Sequence, residues 1–199
     1  LPEYRCRDGA AAEGLATLAA ERFFILPEGA TMARQTTFKG GPLDLLGPEL
    51  KVGDPAPDFR VVGKGLQEVT LEGTKGKVRV FSVVPSLDTP VCDMQTKRFN
   101  EEAGKLAAVS FYTVSMDLPF AQKRYCDSFG VDNVEMLSDH KYASFGENYG
   151  TLIKDWRIES RAIFVVDADN VIRYVEYVPE VAEHPNYEAA LAVARQLAG

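Results

Sequence analysis

Read by hydrophobic and polar position, the chain moves between short β-branched apolar runs and longer stretches whose apolar residues recur every three or four places. Val78 to Val84 (Val-Arg-Val-Phe-Ser-Val-Val) belongs to the first kind and predicts a strand buried in a sheet. Val109 to Met116 and Ala162 to Val166 read the same way. After the last of these, Asp167-Ala168-Asp169-Asn170 predicts a turn and Val171 to Val178 a returning strand, so a hairpin is expected late in the chain. Helical spacing appears between the strands. Cys92 to Leu106 carries an inward stripe of Cys92, Thr96, Phe99, Ala103 and Leu106. Pro119 to Phe129 opens on a proline and stops at Gly130, and Asn186 to Ala198 places Tyr187, Leu191, Ala194 and Leu197 on one side. Nearer the N-terminus, Thr36 to Lys39, a turn at Gly40-Gly41-Pro42, and Leu43 to Leu46 predict a β-hairpin. Pro48 to Pro57, with its prolines, predicts a loop leading inward. The order predicts an α/β fold: a central mixed sheet flanked by helices, preceded by an N-terminal β-hairpin.

Composition sets bounds on this picture. A chain of 199 residues suits one domain with one good core. Residues 1–31 are rich in Ala, Gly and Glu, hold one helical stretch (Gly14 to Phe24), and read as a weakly anchored N-terminal extension; residues 32–199 read as the domain. Hydrophobic residues make up 46% and charged residues 26%, within the ordinary globular range. The net charge of −7 and the lack of a basic run argue against a nucleic-acid partner, which requires clustered Lys and Arg. No run approaches the ~18 apolar residues of a membrane span. Leu15 to Leu26 is broken by Glu21 and Arg22 and lacks the basic start of a secretory signal. Three cysteines, Cys6, Cys92 and Cys126, do not make an oxidised extracellular framework. A reducing cytoplasm is expected, where a disulfide is catalytic or regulatory.

One segment concentrates chemistry: Val83-Val84-Pro85-Ser86-Leu87-Asp88-Thr89-Pro90-Val91-Cys92. It runs from a buried strand through a proline-flanked loop into the first turn of a helix. The thiolate is the nucleophilic form of cysteine, and the free N–H groups and dipole of a helix N-terminus favour negative charge. That field is worth ~2 kcal/mol at most, so a nearby cation is expected as well. A lone buried cysteine is more often a small hydrophobe. Here the neighbours change the weighing. Thr89, three positions upstream, can bond a thiolate and a bound oxygen, while Pro85 and Pro90 stiffen the loop and remove N–H groups.

The Pro-x-x-x-Thr-x-x-Cys pattern resembles the active-site signature of peroxiredoxins. The resemblance extends along the chain through Pro85 to Asp93, Gln95-Thr96-Lys97-Arg98-Phe99-Asn100, Asp117 to Cys126, and Arg161 to Asp167. From about Thr36 to the C-terminus the sequence is similar to the bacterial thiol peroxidase family of atypical two-cysteine peroxiredoxins. That likeness implies a thioredoxin-like fold, a homodimer, hydroperoxide substrates, and thioredoxin as the reductant. By the same likeness Cys92 is the peroxidatic cysteine, oxidised to a sulfenic acid, and Cys126 the resolving cysteine. Thr89 bonds thiolate and peroxide, Pro85 shields the pocket, and Arg161 stabilises the thiolate and the leaving oxygen. Arg157 is a weaker competitor for the arginine's place. A disulfide needs Cα atoms roughly 4.4–6.8 Å apart. With Cys92 inward on one helix and Cys126 on another, the first turn of the Cys92 helix is expected to unwind during turnover.

The remaining chemistry-bearing residues are read as bland. Cys6 falls in the extension and outside the resemblance. His140 and His184 are too scattered for a metal site with these cysteines, and Trp156 is expected to pack against a neighbour. Lys39-Gly40-Gly41 is too short for a phosphate loop, so no cofactor is expected. Two other function classes stay open at this point: a redox sensor using the same two cysteines to signal to a protein partner, and a thioredoxin-like scaffold with inert thiols.

Overall fold

A computed structural model describes residues 34–199. The extension expected over residues 1–31, with Cys6, lies outside the described residues. The N-terminal hairpin forms from β1 (Arg34–Phe38) and β2 (Gly41–Leu46), which are antiparallel with Phe38 opposite Gly41. Its turn is therefore Lys39-Gly40 rather than Gly40-Gly41-Pro42. Both turn residues have positive φ (51° and 77°), the geometry of a two-residue turn whose twist matches its strands. The segment from Pro48 to Pro57 is a loop, as its prolines predict.

β3 (Arg60–Val62) and β4 (Glu68–Thr70) come next, followed by β5 (Val78–Val83), α1 (Pro90–Ala103), β6 (Val109–Ser115), α2 (Pro119–Phe129) and β7 (Glu135–Ser138). Then come α3 (Ser144–Tyr149), the short pair β8 (Leu152–Ile153) and β9 (Ile158–Glu159), β10 (Ala162–Val166), β11 (Ile172–Tyr177) and α4 (Tyr187–Ala198). Among the described residues there are two sheets. The seven-stranded one runs β11-β10-β5-β6-β7-β3-β4, and the four-stranded one β1-β2-β8-β9. Within the larger sheet β5, β6 and β7 are parallel, while β10, β11, β3 and β4 join antiparallel. The expected mixed sheet is thus present, with the late hairpin of β10 and β11 on one edge.

The apolar runs behave as buried strands. Every residue of β5 and β10 is buried, and alternate side chains serve opposite faces. Val80, Ile163 and Val165 join a core with Phe99 of α1, Tyr125 of α2, and Leu191 and Ala194 of α4. Phe81, Phe164 and Val166 face a second core with Phe59, Phe145 and Tyr149. Each such buried side chain contributes ~1.5–3 kcal/mol relative to exposure, which fixes the strand ends where the site is built. α2 begins at Pro119 as expected, whereas α1 begins at Pro90, two residues before the expected start at Cys92, because the proline's fixed φ suits the first helical position. α1 ends at Ala103, so Leu106, expected within it, packs on the core from the following turn. Gly130 closes α2 in the left-handed conformation (φ 65°), its N–H donating to the Cys126 carbonyl at 2.9 Å.

Candidate active site

The register of the central strands brings two distant segments together. β5 and β10 are antiparallel, with Val83 opposite Ala162. The chain leaving β5 therefore passes the residue that enters β10, and that residue is Arg161. Pro85 is buried at the bend just beyond β5. The loop after it is pinned by Asp117, whose carboxylate accepts from Ser86 Oγ and from the Leu87 N–H, each at 2.8 Å. The loop ends at Thr89, the N-cap of α1, and Pro90 takes the first helical position.

Thr89 does not cap its helix in the usual way; its side chain makes no capping bond. Instead Thr89 Oγ1 lies 2.8 Å from Cys92 Sγ and 3.1 Å from the Ser86 carbonyl. A hydroxyl has one proton and accepts as well. With a thiol at Cys92, the S–H donates to Thr89, which donates onward to Ser86. With a thiolate, Thr89 turns its proton to the sulfur. Cys92 is in the first turn of α1, whose leading N–H groups have no intrahelical acceptor, and it is fully buried.

The expected cation is Arg161, only 2% exposed. Its Nη2 lies 3.4 Å from Cys92 Sγ, its Nη1 donates to Gln95 Oε1 at 2.6 Å, and its Nε donates to the Val181 carbonyl at 3.0 Å. Among the described residues no carboxylate comes within 4 Å of it, the range of every ion pair present. Of its three hydrogen-bonded partners among the described residues, the Cys92 sulfur is the one that can take a negative charge. Arg157 is not at the site; it is exposed and lies 3.9 Å from Glu147.

Gln95 has no role in the sequence reading, yet it orients the arginine. It is completely buried, and its Nε2 donates to Ser82 Oγ of β5 at 2.8 Å, which aims its carbonyl oxygen at Arg161. The sequence carries only a partial signal for it: an amide one helical turn after Cys92, next to Thr96 of the inward stripe, has to be hydrogen-bonded once buried, but its partners are not readable there.

Cys126 sits on α2, half-buried, and both it and Cys92 are free thiols. Its sulfur packs against the same core as Cys92. Burial, then the negative charges of Asp127 and Asp132, push its thiol up from the ordinary value. The geometry thus unites Cys92, Thr89 and Arg161 around one sulfur and leaves Cys126 unbonded to it. Among the described residues no cluster of His, Cys, Asp and Glu could hold a metal, and no helix is long and apolar enough to cross a membrane. His140 contacts Ser138, His184 contacts Tyr187, and Trp156 packs edge-on against Phe38 at 5.3 Å.

Residues 51–191 match the family model described as Redoxin. A thiol peroxidase of Bacillus subtilis is 54% identical over 163 residues, which cover 82% of this chain and 98% of that one. A thiol peroxidase of Oceanobacillus iheyensis is 56% identical over 156 residues, covering 78% and 95% respectively. Among solved structures, a peroxiredoxin-like protein from Aquifex aeolicus superposes with a TM-score of 0.78 at 48% identity, over 83% of this chain and 98% of its own. A thiol peroxidase from Chromobacterium violaceum, 20% identical, shares the fold with a TM-score of 0.73, over 81% of this chain and 95% of its own. The matched region contains Pro85, Thr89, Cys92, Cys126 and Arg161, and the sheet it spans is a thioredoxin-like one. The chain belongs to the Redoxin family and, within it, to the thiol peroxidases, peroxidases of the peroxiredoxin type.

Proposed function

We propose that Cys92 reduces hydrogen peroxide and organic hydroperoxides, and that Cys126 completes the turnover as an intramolecular disulfide. The observation that carries this reading is the buried Cys92 sulfur between Thr89 and a guanidinium with no carboxylate. Paired with that charge and a helix N-terminus, the sulfur reacts as the thiolate. It attacks the terminal peroxide oxygen, the O–O bond breaks, and Cys92 becomes a sulfenic acid while the departing alkoxide or hydroxide takes up a proton. Arg161 and Thr89 face the oxygens on which charge develops, and Pro85 keeps the pocket closed to bulk water. The Cys126 sulfur then attacks the sulfenic sulfur, forming the disulfide and releasing water. A dithiol reductant of the thioredoxin type restores both thiols and leaves oxidised. The balance is one hydroperoxide and one dithiol converted to alcohol or water, water, and a disulfide.

Cys92 is fully buried and bonded to its site, so it has to leave Thr89 and Arg161 before it meets Cys126. This supports unwinding of the first turn of α1 between the two steps. The catalytic domain is residues 32–199, working as a homodimer in the cytoplasm, with residues 1–31 outside the chemistry. The test is a coupled assay with thioredoxin, thioredoxin reductase and NADPH. Multiple rapid turnovers by the wild type and none by Cys92→Ser support the reading. One oxidation per chain with stalled recycling would replace the enzyme by a redox sensor.

A further inference from the structure

The first turn of α1 is held by more than its own backbone bonds. Asp93, next to Cys92 in sequence, accepts a hydrogen bond on Oδ1 from the Tyr125 hydroxyl at 2.7 Å, and Tyr125 is next to Cys126. The same carboxylate pairs with Lys97 Nζ at 2.8 Å, one helical turn along. Lys97 in turn lies over the Phe129 ring, 4.2 Å from its centroid, and Phe129 stacks obliquely on Tyr125 at 5.0 Å. These four residues close a ring of contacts between α1 and α2. Tyr125 itself is almost entirely buried. Burial, then the bond to Asp93, raises its phenol, so it stays the donor and Asp93 the acceptor.

We propose that the Asp93–Tyr125 hydrogen bond is a clasp that holds the site closed and sets the rate at which Cys92 and Cys126 join. This rests on the reading of Cys126 as the resolving cysteine. The Cys92 sulfur hydrogen-bonds Thr89 and Arg161 and neither clasp residue, so both clasp residues are positioning residues. In the closed form the clasp keeps the turn carrying Cys92 against α2 while Thr89 and Arg161 present the sulfur to peroxide. Unwinding that turn carries Asp93 away and strands the buried phenol, so the bond opposes opening. A slower opening prolongs the sulfenic acid and gives excess peroxide time to carry it on to the sulfinic acid, which consumes a second hydroperoxide and releases a second alcohol or water.

The test is single-turnover oxidation of the fully reduced full-length chain with one equivalent of hydrogen peroxide. Samples are quenched by acid and alkylation, and their peptides are read by non-reducing mass spectrometry. Sulfenic acid formation is timed separately, with each substitution also placed on Cys126→Ser. Tyr125→Phe keeps the ring and removes the donor. It is expected to close the disulfide about tenfold faster, the worth of a hydrogen bond to a carboxylate (~1.5 kcal/mol), with the first step unchanged and less sulfinic acid in excess peroxide. Asp93→Asn keeps an acceptor for the phenol but loses the Lys97 charge pair, and is expected to fall between. Amide exchange should quicken over residues 90–96 and not in β5 or β10, as general loosening would require. Tyr125→Phe that closes no faster, or that speeds both steps alike, overturns the clasp while the resolving role stands. A wild type that forms no Cys92–Cys126 disulfide overturns both.

Discussion

Burying a guanidinium without a charge partner costs several kcal/mol, yet Arg161 is buried against an amide, a carbonyl and a sulfur. The cost is offset when the sulfur is negative, so the contact proposed to activate Cys92 would also settle Arg161. Arg161→Lys cannot reproduce three directed bonds with one ammonium. It is expected to slow sulfenic acid formation by about 10²-fold or more, the scale of losing one oriented donor from a charged transition state. Thr89→Val should keep the fold and lose a similar or larger factor; stopped-flow oxidation of the reduced protein checks both. At Cys126, burial and then two carboxylates favour the neutral thiol. Disulfide closure should therefore still be gaining rate above the ordinary thiol value of about 8.5, and quenched single-turnover samples across pH would read it. That Thr89 and Arg161 would gather at Cys92 was legible in the sequence through one motif and its family. Gln95 was not, because its role depends on Ser82 and Arg161, 13 and 66 positions away.

At the scale of elements, α1 has two duties that conflict. In the proposed cycle its first turn holds Cys92 under Arg161 for the attack and releases it for the disulfide. The stripe Cys92, Thr96 and Phe99 anchors the helix to the core. Phe99 alone contributes ~1.5–3 kcal/mol by burial, so opening is expected to stop before it. Hydrogen exchange should show residues 90–96 opening more often than residues 97–103 in the reduced protein, and a uniform α1 would contradict a local transition. The longer elements were legible through a largely apolar run, as in β5 and β10, or through a helical apolar stripe with a proline or glycine near its border, as in α1 and α2. β3, β4, β7, α3, β8 and β9 were not. They are two to six residues long, too short for a period to declare itself. β3, for instance, meets β7 only through Val62 and Ser138, so it is placed by tertiary contact.

Across the whole molecule, the fold carries a buried carboxyl pair that the proposed chemistry does not use. Glu159, at the end of β9, is fully buried, accepts from Thr151 Oγ1 at 2.6 Å, and leaves Oε1 without a partner. Asp139 is buried beside it, accepting from the Phe145 and Gly146 N–H groups. Burial and then the Asp139 charge raise the Glu159 carboxyl, so the folded state keeps a proton there. The unfolded chain releases that proton above the ordinary glutamate value of about 4.3. Stability from this pair is present below that value and is lost as pH climbs through the raised folded one. Glu159→Gln should flatten this slope and add on the order of 1 kcal/mol at neutral pH, as denaturant titrations at several pH values would show. Such a pair could not be read in the sequence, since the two carboxyls are 20 positions apart and meet only through α3 and the β8–β9 turn.

The central claim, that one buried sulfur does the chemistry and a second completes it, is tested most directly by mass. Reduced wild type, Cys92→Ser and Cys126→Ser are each given one equivalent of hydrogen peroxide, and intact chains and peptides are weighed without reduction. Wild type should lose two hydrogens as a Cys92–Cys126 disulfide. Cys126→Ser should gain one oxygen at Cys92, and Cys92→Ser should remain unchanged. Oxidation of Cys92→Ser at the wild-type rate, or a wild type whose Cys92 and Cys126 stay unlinked, would contradict that claim.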